Sequence, residues 1–410
     1  MKRRVRESQT PPPIAGRTAS FQESVIREMT RLGDEAGAVN LSQGLPDFTP
    51  PAEVLEAAVQ AIRSGDNQYT FPFGTATFRS AIAAKTARVN AISANPETEV
   101  TVTCGVSEAM MSAILALTDA GDEVVIFEPW YENYVPDCLM AGVRPRFVPL
   151  APPGYRIEAD VLRRAVGPHT RLVILNTPHN PTGRVFSRRE LEAVAEACRT
   201  HNLVAVTDEI YEHIVYDGVE HISLGSLDGM RERTVTISGL GKTYAVTGWR
   251  VGWIVAPEPL SAQIRKVHDY LTICAPAPFQ AAGIAALGLP ETYYQEMRRE
   301  YAARRDILLP ALTRAGFRFR WPEGAYYVMA DFSRFRGEGY RDPGGTVSPD
   351  RAFAEHLAVE IGVAVVPGSS FYVDGAQGAR YVRFNFAKEA VTLREAVSRL
   401  ARLRADGEAG

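Results

Sequence analysis

The side chains with the greatest chemical reach fall at four places in the chain. Asn176-Thr177-Pro178-His179-Asn180 follows one apolar run, Asp208-Glu209-Ile210-Tyr211 a second, and Ser238-Gly239-Leu240-Gly241-Lys242 a third. Cys104-Gly105-Val106-Ser107-Glu108-Ala109 opens an apolar helical stretch from Met110 to Leu115, and Arg250 follows Lys242 within the same segment. Together they offer an amine, a carboxylate, a phenol, amides and a guanidinium. An amine condenses with an aldehyde, and a buried carboxylate holds a ring nitrogen protonated. A helix start with free N–H groups and a hydroxyl receives phosphate, and an arginine adds charge to hold the dianion. Pyridoxal 5′-phosphate needs all of these, so Lys242 is read as the amine of a Schiff base and Asp208 as the partner of the pyridine nitrogen.

Residues of this kind work only if strand ends gather them. The middle of the chain repeats a theme of short β-branched runs followed by helical segments: Val124 to Phe127, Leu172 to Leu175, Leu203 to Val206, Val235 to Ile237 and Val251 to Val255. Near-continuous apolar runs predict parallel strands covered on both faces, and in such sheets ligands collect beyond the carboxyl ends of the strands. Ser187 to Arg199 predicts a helix, with Leu191, Val194, Ala195 and Cys198 on one face and a capping box in Ser187 and Glu190. Beyond it, charged helices from Glu291 to Arg314, a strand at Tyr326 to Met329 and a last helix near Leu393 to Leu403 predict a smaller α+β domain. The expected division is a flexible tail over 1–18, a segment at 19–50 packing on the small domain, a cofactor domain at 51–295 and the small domain at 296–410. Arg336 to Pro349 reads as an exposed loop.

A chain of 410 residues, 46% hydrophobic, buries a core large enough for two domains. Its formal net charge of −3 lacks the broad positive field of a nucleic-acid binder. The basic run Lys2-Arg3-Arg4 leads into Pro11-Pro12-Pro13, not into a secretory apolar stretch, and charged residues interrupt every candidate membrane span. A cytoplasmic protein acting on small molecules is expected. Cys104, Cys138, Cys198 and Cys274 lack metal-site or redox spacing, and no metal is expected. Only Lys2, Lys85, Lys242, Lys266 and Lys388 are lysines among 45 basic residues, which makes each one worth following.

These residues resemble the class I aminotransferases of the fold-type I pyridoxal-phosphate enzymes, from about Phe21 to the last helix. Ser42-Gln43-Gly44-Leu45-Pro46-Asp47-Phe48 is most similar to the branch of kynurenine, glutamine and succinyl-diaminopimelate aminotransferases. The resemblance implies a mostly parallel seven-stranded sheet and a homodimer. It also implies that Val106 and Ser107 bind phosphate, that Tyr131 stacks on the pyridine ring and that Asn180 and Tyr211 meet the ring oxygen. Arg250 would hold the phosphate, and Tyr69 would reach that of a neighbouring subunit. Gly44, Asn180 and Arg383 would meet the substrate, Arg383 by gripping its carboxylate. Many relatives carry a phosphate-binding serine three residues before the lysine; here that residue is Gly239, and Ser238 is the available substitute.

The implied reaction moves an amino group between a small amino acid and a 2-oxo acid, with freed Lys242 shuttling the α-proton. Elimination, replacement, cyclisation or oxidation on the same scaffold is the alternative, since the same first contacts serve both courses. Gly241-Lys242-Thr243 is not the end of a P-loop, because Thr236 stands where that motif needs glycine. Leu45, Tyr131 and Tyr326 suggest an apolar or aromatic side-chain wall. No second arginine is placed there, so a dicarboxylic substrate is less favoured.

Overall fold

A computed structural model describes residues 14–21, 23–335 and 347–403. Most of the expected tail and of the Arg336 to Pro349 loop lies outside them, and Pro349 itself begins a helix, Pro349–His356. Seven strands form the main sheet: β1 (Val100–Thr103), β2 (Glu123–Glu128), β3 (Arg144–Pro149), β4 (Thr170–Asn176), β5 (Val204–Asp208), β6 (Thr234–Gly239) and β7 (Gly252–Val255). Their order is β1-β7-β6-β5-β4-β2-β3. Neighbours are parallel except around β7, which runs antiparallel to both β1 and β6. The Val251 to Val255 run is therefore a strand, but not one more turn of the parallel theme.

Burial goes with visibility in the sequence for most strands, but β1, buried at all four residues and alternating valine with threonine, was not among the runs read. β6 and β7 are buried at every residue, and β4 and β5 nearly so, as strands covered on both faces must be. β3 is an edge strand that alternates between exposed and partly buried residues and carries Pro145 and Pro149, which an edge tolerates. The helix Arg188–His201 has the predicted capping box in full, with the Ser187 hydroxyl accepting from the Glu190 amide and the Glu190 side chain accepting from the Ser187 amide.

The charged region after Glu291 is one 25-residue helix, Glu291–Ala315, not several, and it ends at Gly316 in the left-handed conformation. It packs against the last helix, Ala390–Leu400. A second, antiparallel sheet holds β8 (Tyr327–Asp331), β9 (Val366–Pro367) and β10 (Tyr381–Asn385), with β10 in the middle and Arg383 opposite Met329 and Val366. The N-terminal segment joins this half: Val39–Asn40 pairs with Val363–Ala364. Phe48 lies edge-on to Tyr301 at 5.7 Å between ring centres.

Candidate active site

Parallel register brings the first two motifs level, because Asn176 at the end of β4 pairs with Asp208 at the end of β5. Beyond these ends lies a cleft of about 450 Å³, walled by Gly44, Gly105, Val106, Ser107, Tyr131, Asn180, Asp208, Tyr211, Lys242, Arg250 and Arg383 among others. Ten of the twelve residues expected at the site are thus brought together.

Lys242 stands half-buried in this cleft, its Nζ donating to the Gly44 carbonyl at 2.8 Å. Burial pulls its amine down to about 8, against the pull of Asp208 and reinforced by Arg383 and Arg250. A lysine so placed is a nucleophile near neutral pH. Asp208 is buried, and burial lifts its carboxyl to about 6; the Tyr134 hydroxyl, the Ile210 amide and Lys242 oppose that rise. Tyr134 donates to Asp208 Oδ2 at 2.6 Å.

Asn176 builds the next layer. Its Nδ2 donates to the Asp208 carbonyl at 2.9 Å, and its Oδ1 accepts from the Asn180 amide at 2.7 Å. Asn180 Oδ1 in turn accepts from Arg383 Nη1 at 3.0 Å, while Arg383 Nη2 donates to the Ser42 carbonyl at 2.6 Å. The third donor of the buried guanidinium, Nε, has no partner. The Tyr211 and Tyr327 hydroxyls lie 3.0 Å apart, and the Arg383 guanidinium sits 4.4 Å from the Tyr327 ring centre.

An anion cup forms where β7 meets the helix Gly105–Leu117. The first N–H groups of that helix lack intrahelical partners. Close backbone approach makes the cup: a Cβ on Gly105, at φ +80°, would lie 2.6 Å from Arg250 Nη2, and one on Gly252 would lie 2.7 Å from the Gly105 carbonyl carbon. Exposed Arg250 faces the cup with one Nη1 bond, to the Thr247 carbonyl at 3.1 Å. Amine, carboxylate and anion cup in one cleft are the donor set that pyridoxal 5′-phosphate requires, so the residues fit that group.

Two expected site residues lie elsewhere. Ser238 is buried behind the cleft and donates to Glu212 Oε1 at 2.6 Å, so it does not replace the missing phosphate serine. A side chain at Gly239 has no room either, since its Cβ would stand 2.8 Å from the Val251 carbonyl oxygen. Tyr69 is 79% exposed and away from the cleft of its own chain. Tyr327, not Tyr326, lines the cleft; Tyr326 is buried beneath it and donates to the Gly44 carbonyl at 3.0 Å. Tyr131 lines the cleft while Trp130 packs in the core against Phe147.

Sequence reasoning missed Tyr134, Asn176 as a scaffold and Arg27. Tyr134 lies one helical turn from Tyr131, and a buried carboxylate's need for donors is the signal that could have found it. Arg27, on the helix Val25–Glu35, lines the cleft with Glu132, so a second arginine does stand there.

Residues 36–400 match the model of the family described as aminotransferase class I and II. The chain is 42% identical over 395 residues to the probable N-succinyldiaminopimelate aminotransferase DapC of Mycobacterium tuberculosis, covering 94% of this chain and 97% of that one. It is 37% identical to kynurenine--oxoglutarate transaminase 1 of Homo sapiens, covering 89% and 92%. The solved structure of N-succinyldiaminopimelate aminotransferase from Mycobacterium tuberculosis superposes with a TM-score of 0.90 at 41% identity, covering 95% of this chain and all of that one. With its mostly parallel sheet and its cleft at the strand ends, the chain belongs to the class I and II aminotransferases, of fold type I, and is an enzyme that transfers amino groups.

Proposed function

We propose that this transfer runs on pyridoxal 5′-phosphate held covalently at Lys242, between a small amino acid and a 2-oxo acid. The observation that carries the reading is the half-buried Lys242 amine, held near pH 8 beside a buried carboxylate. When bound, the cofactor supplies an aldehyde for the amino group and a ring that accepts electrons from the substrate Cα. Asp208 holds the ring nitrogen, Asn180 and Tyr211 meet the ring oxygen, Tyr131 covers the ring, and Val106, Ser107 and Arg250 hold the phosphate. Arg383, whose Nη1 and Nη2 donate to the Asn180 amide oxygen and the Ser42 carbonyl, grips the substrate carboxylate. Gly44 bounds the substrate side. Lys242 Nζ, freed when the substrate's amino group takes its place on the cofactor, would take the α-proton and return it to the other carbon of the exchange.

Exposed Arg27, which lines the cleft, supports substrates whose side chain ends in a carboxylate, against the expectation that a dicarboxylic substrate is less favoured. A homodimer completes the reading, with Tyr69 reaching the second subunit's phosphate. Exposed Tyr69, Phe71, Tyr270, Leu271 and Ile273 support it. Their segments are tied together by the Gln280 to Thr70 bond at 3.0 Å and the His268 to Pro72 bond at 2.8 Å. An apolar face of that kind is what a subunit contact covers. The division into a cofactor domain at 51–295 and a small domain at 296–410, joined by 19–50, is part of the same proposal. So is a cytoplasmic location, supported by four free cysteines; among the described residues no helix is long and apolar enough to cross a membrane.

The test is the absorption spectrum of purified protein before and after single amino acids are added without an oxo acid. Conversion of a visible band to the amine form, with about one oxo acid released per site, supports the reading. Release of other products, or no band at all, overturns it.

A further inference from the structure

Two of the scarce lysines are buried, and one of them, Lys85, lies behind the cleft and has no part in the chemistry above. The turn after β5 explains why it is there. Asp208 and Tyr211, three residues apart, face the cleft. Glu209 and Glu212, also three apart, face the opposite way into a buried polar cluster. Glu212 Oε1 accepts from Lys85 Nζ at 2.5 Å and from Ser238 Oγ at 2.6 Å, and its Oε2 accepts from Asn90 Nδ2 at 2.6 Å. Glu209 Oε2 accepts from Ser223 Oγ at 2.5 Å and faces His221 Nε2 at 2.8 Å. Asn90 Oδ1 accepts from Lys85 Nζ at 2.9 Å, which closes the ring of contacts.

Glu209, Glu212 and His221 are grouped closely enough to hold a metal ion, yet the Lys85 ammonium already supplies the cation that Glu212 needs. Burial alone would raise the Glu212 carboxyl, but Lys85, His213 and His221 hold it down at about 2, so it is ionised throughout the working range. Removing charges from water is expensive, and packed apolar side chains would stabilise the same space as well or better. Glu212 is paired on both oxygens, whereas Glu209 Oε1 and His221 Nδ1 have no partner, and what the satisfied part of a buried network adds is a fixed geometry.

The geometry fixed here joins two strand ends. Ser238 lies on β6, four residues before Lys242, and Glu212 lies one residue after Tyr211. We propose that Glu212, anchored by Lys85 and bonded to Ser238, is a positioning residue that holds the end of β6, from which the chain runs on to Lys242, in register with Asp208 at the end of β5 and the turn bearing Tyr211. This rests on the reading that Lys242 carries the cofactor. It also gives Ser238 the role that phosphate binding does not.

The test compares three holoenzymes: the parent, Ser238→Ala, and the double variant Lys85→Met with Glu212→Gln. Ser238→Ala cuts the tie and leaves the Lys85–Glu212 pair intact. The double variant removes both charges and leaves a side-chain carbonyl for Ser238. Ser238→Ala is expected to slow the amino-acid half-reaction about tenfold, as a misplaced reacting group does, and to shift the protonation midpoint of the bound cofactor's visible band. Amide exchange at 239–243 in cofactor-stripped protein should quicken as well. The double variant keeps that carbonyl but loses the Lys85 anchor, so it should slow the same half-reaction by a comparable factor, about tenfold. A Ser238→Ala enzyme that loses only thermal stability, with band midpoint, rate and exchange unchanged, overturns the proposal. So does a double variant that turns over as fast as the parent. A parent with no band that borohydride fixes onto Lys242 sinks the cofactor reading instead, and the exchange measurement, which needs no cofactor, still decides whether the tie holds the loop.

Discussion

Replacing Tyr134 by phenylalanine should move the pH at which the protein accepts its cofactor. The Tyr134 hydroxyl sits 2.6 Å from Asp208 Oδ2, both groups are buried, and the bond favours the ionised carboxylate. A hydrogen bond to a charged group contributes about 1.5–3 kcal/mol, and about 1.4 kcal/mol corresponds to one pH unit, so the Asp208 midpoint should climb by about 1–2 units from about 6. The sign follows from the carboxylate being the form that receives a protonated ring nitrogen. Affinity is lost as pH falls through the midpoint, and in the variant that loss begins nearer neutrality. At pH 7 the ionised fraction falls between about twofold and tenfold, while near pH 9 the two proteins converge. Cofactor titrations of stripped protein from pH 5 to 9, followed by absorbance, measure this directly. Superimposable affinity curves would refute the assignment of Tyr134 to Asp208, and a loss that persists unchanged at pH 9 would show that the hydroxyl acts by some route other than the charge on Asp208.

Lys242→Ala should bind cofactor without a borohydride-fixable bond and lose turnover by about 10²–10⁴-fold, checked by single-turnover kinetics with one amino acid. In the unaltered stripped protein, covalent attachment should quicken as pH rises and level off above about 8, because the neutral amine is the nucleophile. Gly239→Ser should lower stability by about 1–3 kcal/mol in denaturant titrations without improving cofactor affinity, since its Cβ meets the Val251 carbonyl at 2.8 Å. Arg27→Ala should raise KM about tenfold for amino acids with a side-chain carboxylate and leave apolar ones unchanged; an equal effect on both classes would remove Arg27 from side-chain recognition.

The doubly covered strands were legible because their burial writes a continuous apolar run, and the chemistry could be placed because it follows those runs directly. Neither edge strand was among the runs read: β1 is only four residues long and alternates valine with threonine, while half the side chains of β3 meet solvent and its prolines read as breakers. The direction of β7 was invisible, because an apolar run has no arrow; only pairing with β1 and β6 supplies one. Choosing Tyr326 over Tyr327 was an error of parity, as neighbouring residues along a strand face opposite sides. Ser238 failed for the same reason: it has the right chemistry and points away from the cleft. Arg27 and Tyr134 come from parts of the chain far from the lysine motif, and only the packed fold sets them beside it.

The strap at 42–45 carries a consequence for exchange. Main-chain carbonyls of Ser42, Gln43, Gly44 and Leu45 receive Arg383, Asn385, Lys242 and Lys388 in turn. These amines and this guanidinium rest on neutral dipoles, not on carboxylates. A dipole satisfies a buried donor but gives it up to a charged competitor, because a carboxylate accepts about twice as strongly. For Lys242 and Arg383, which line the cleft, the strap thus acts as a weak internal competitor that keeps the donors aimed, and an arriving anion has only a carbonyl to displace.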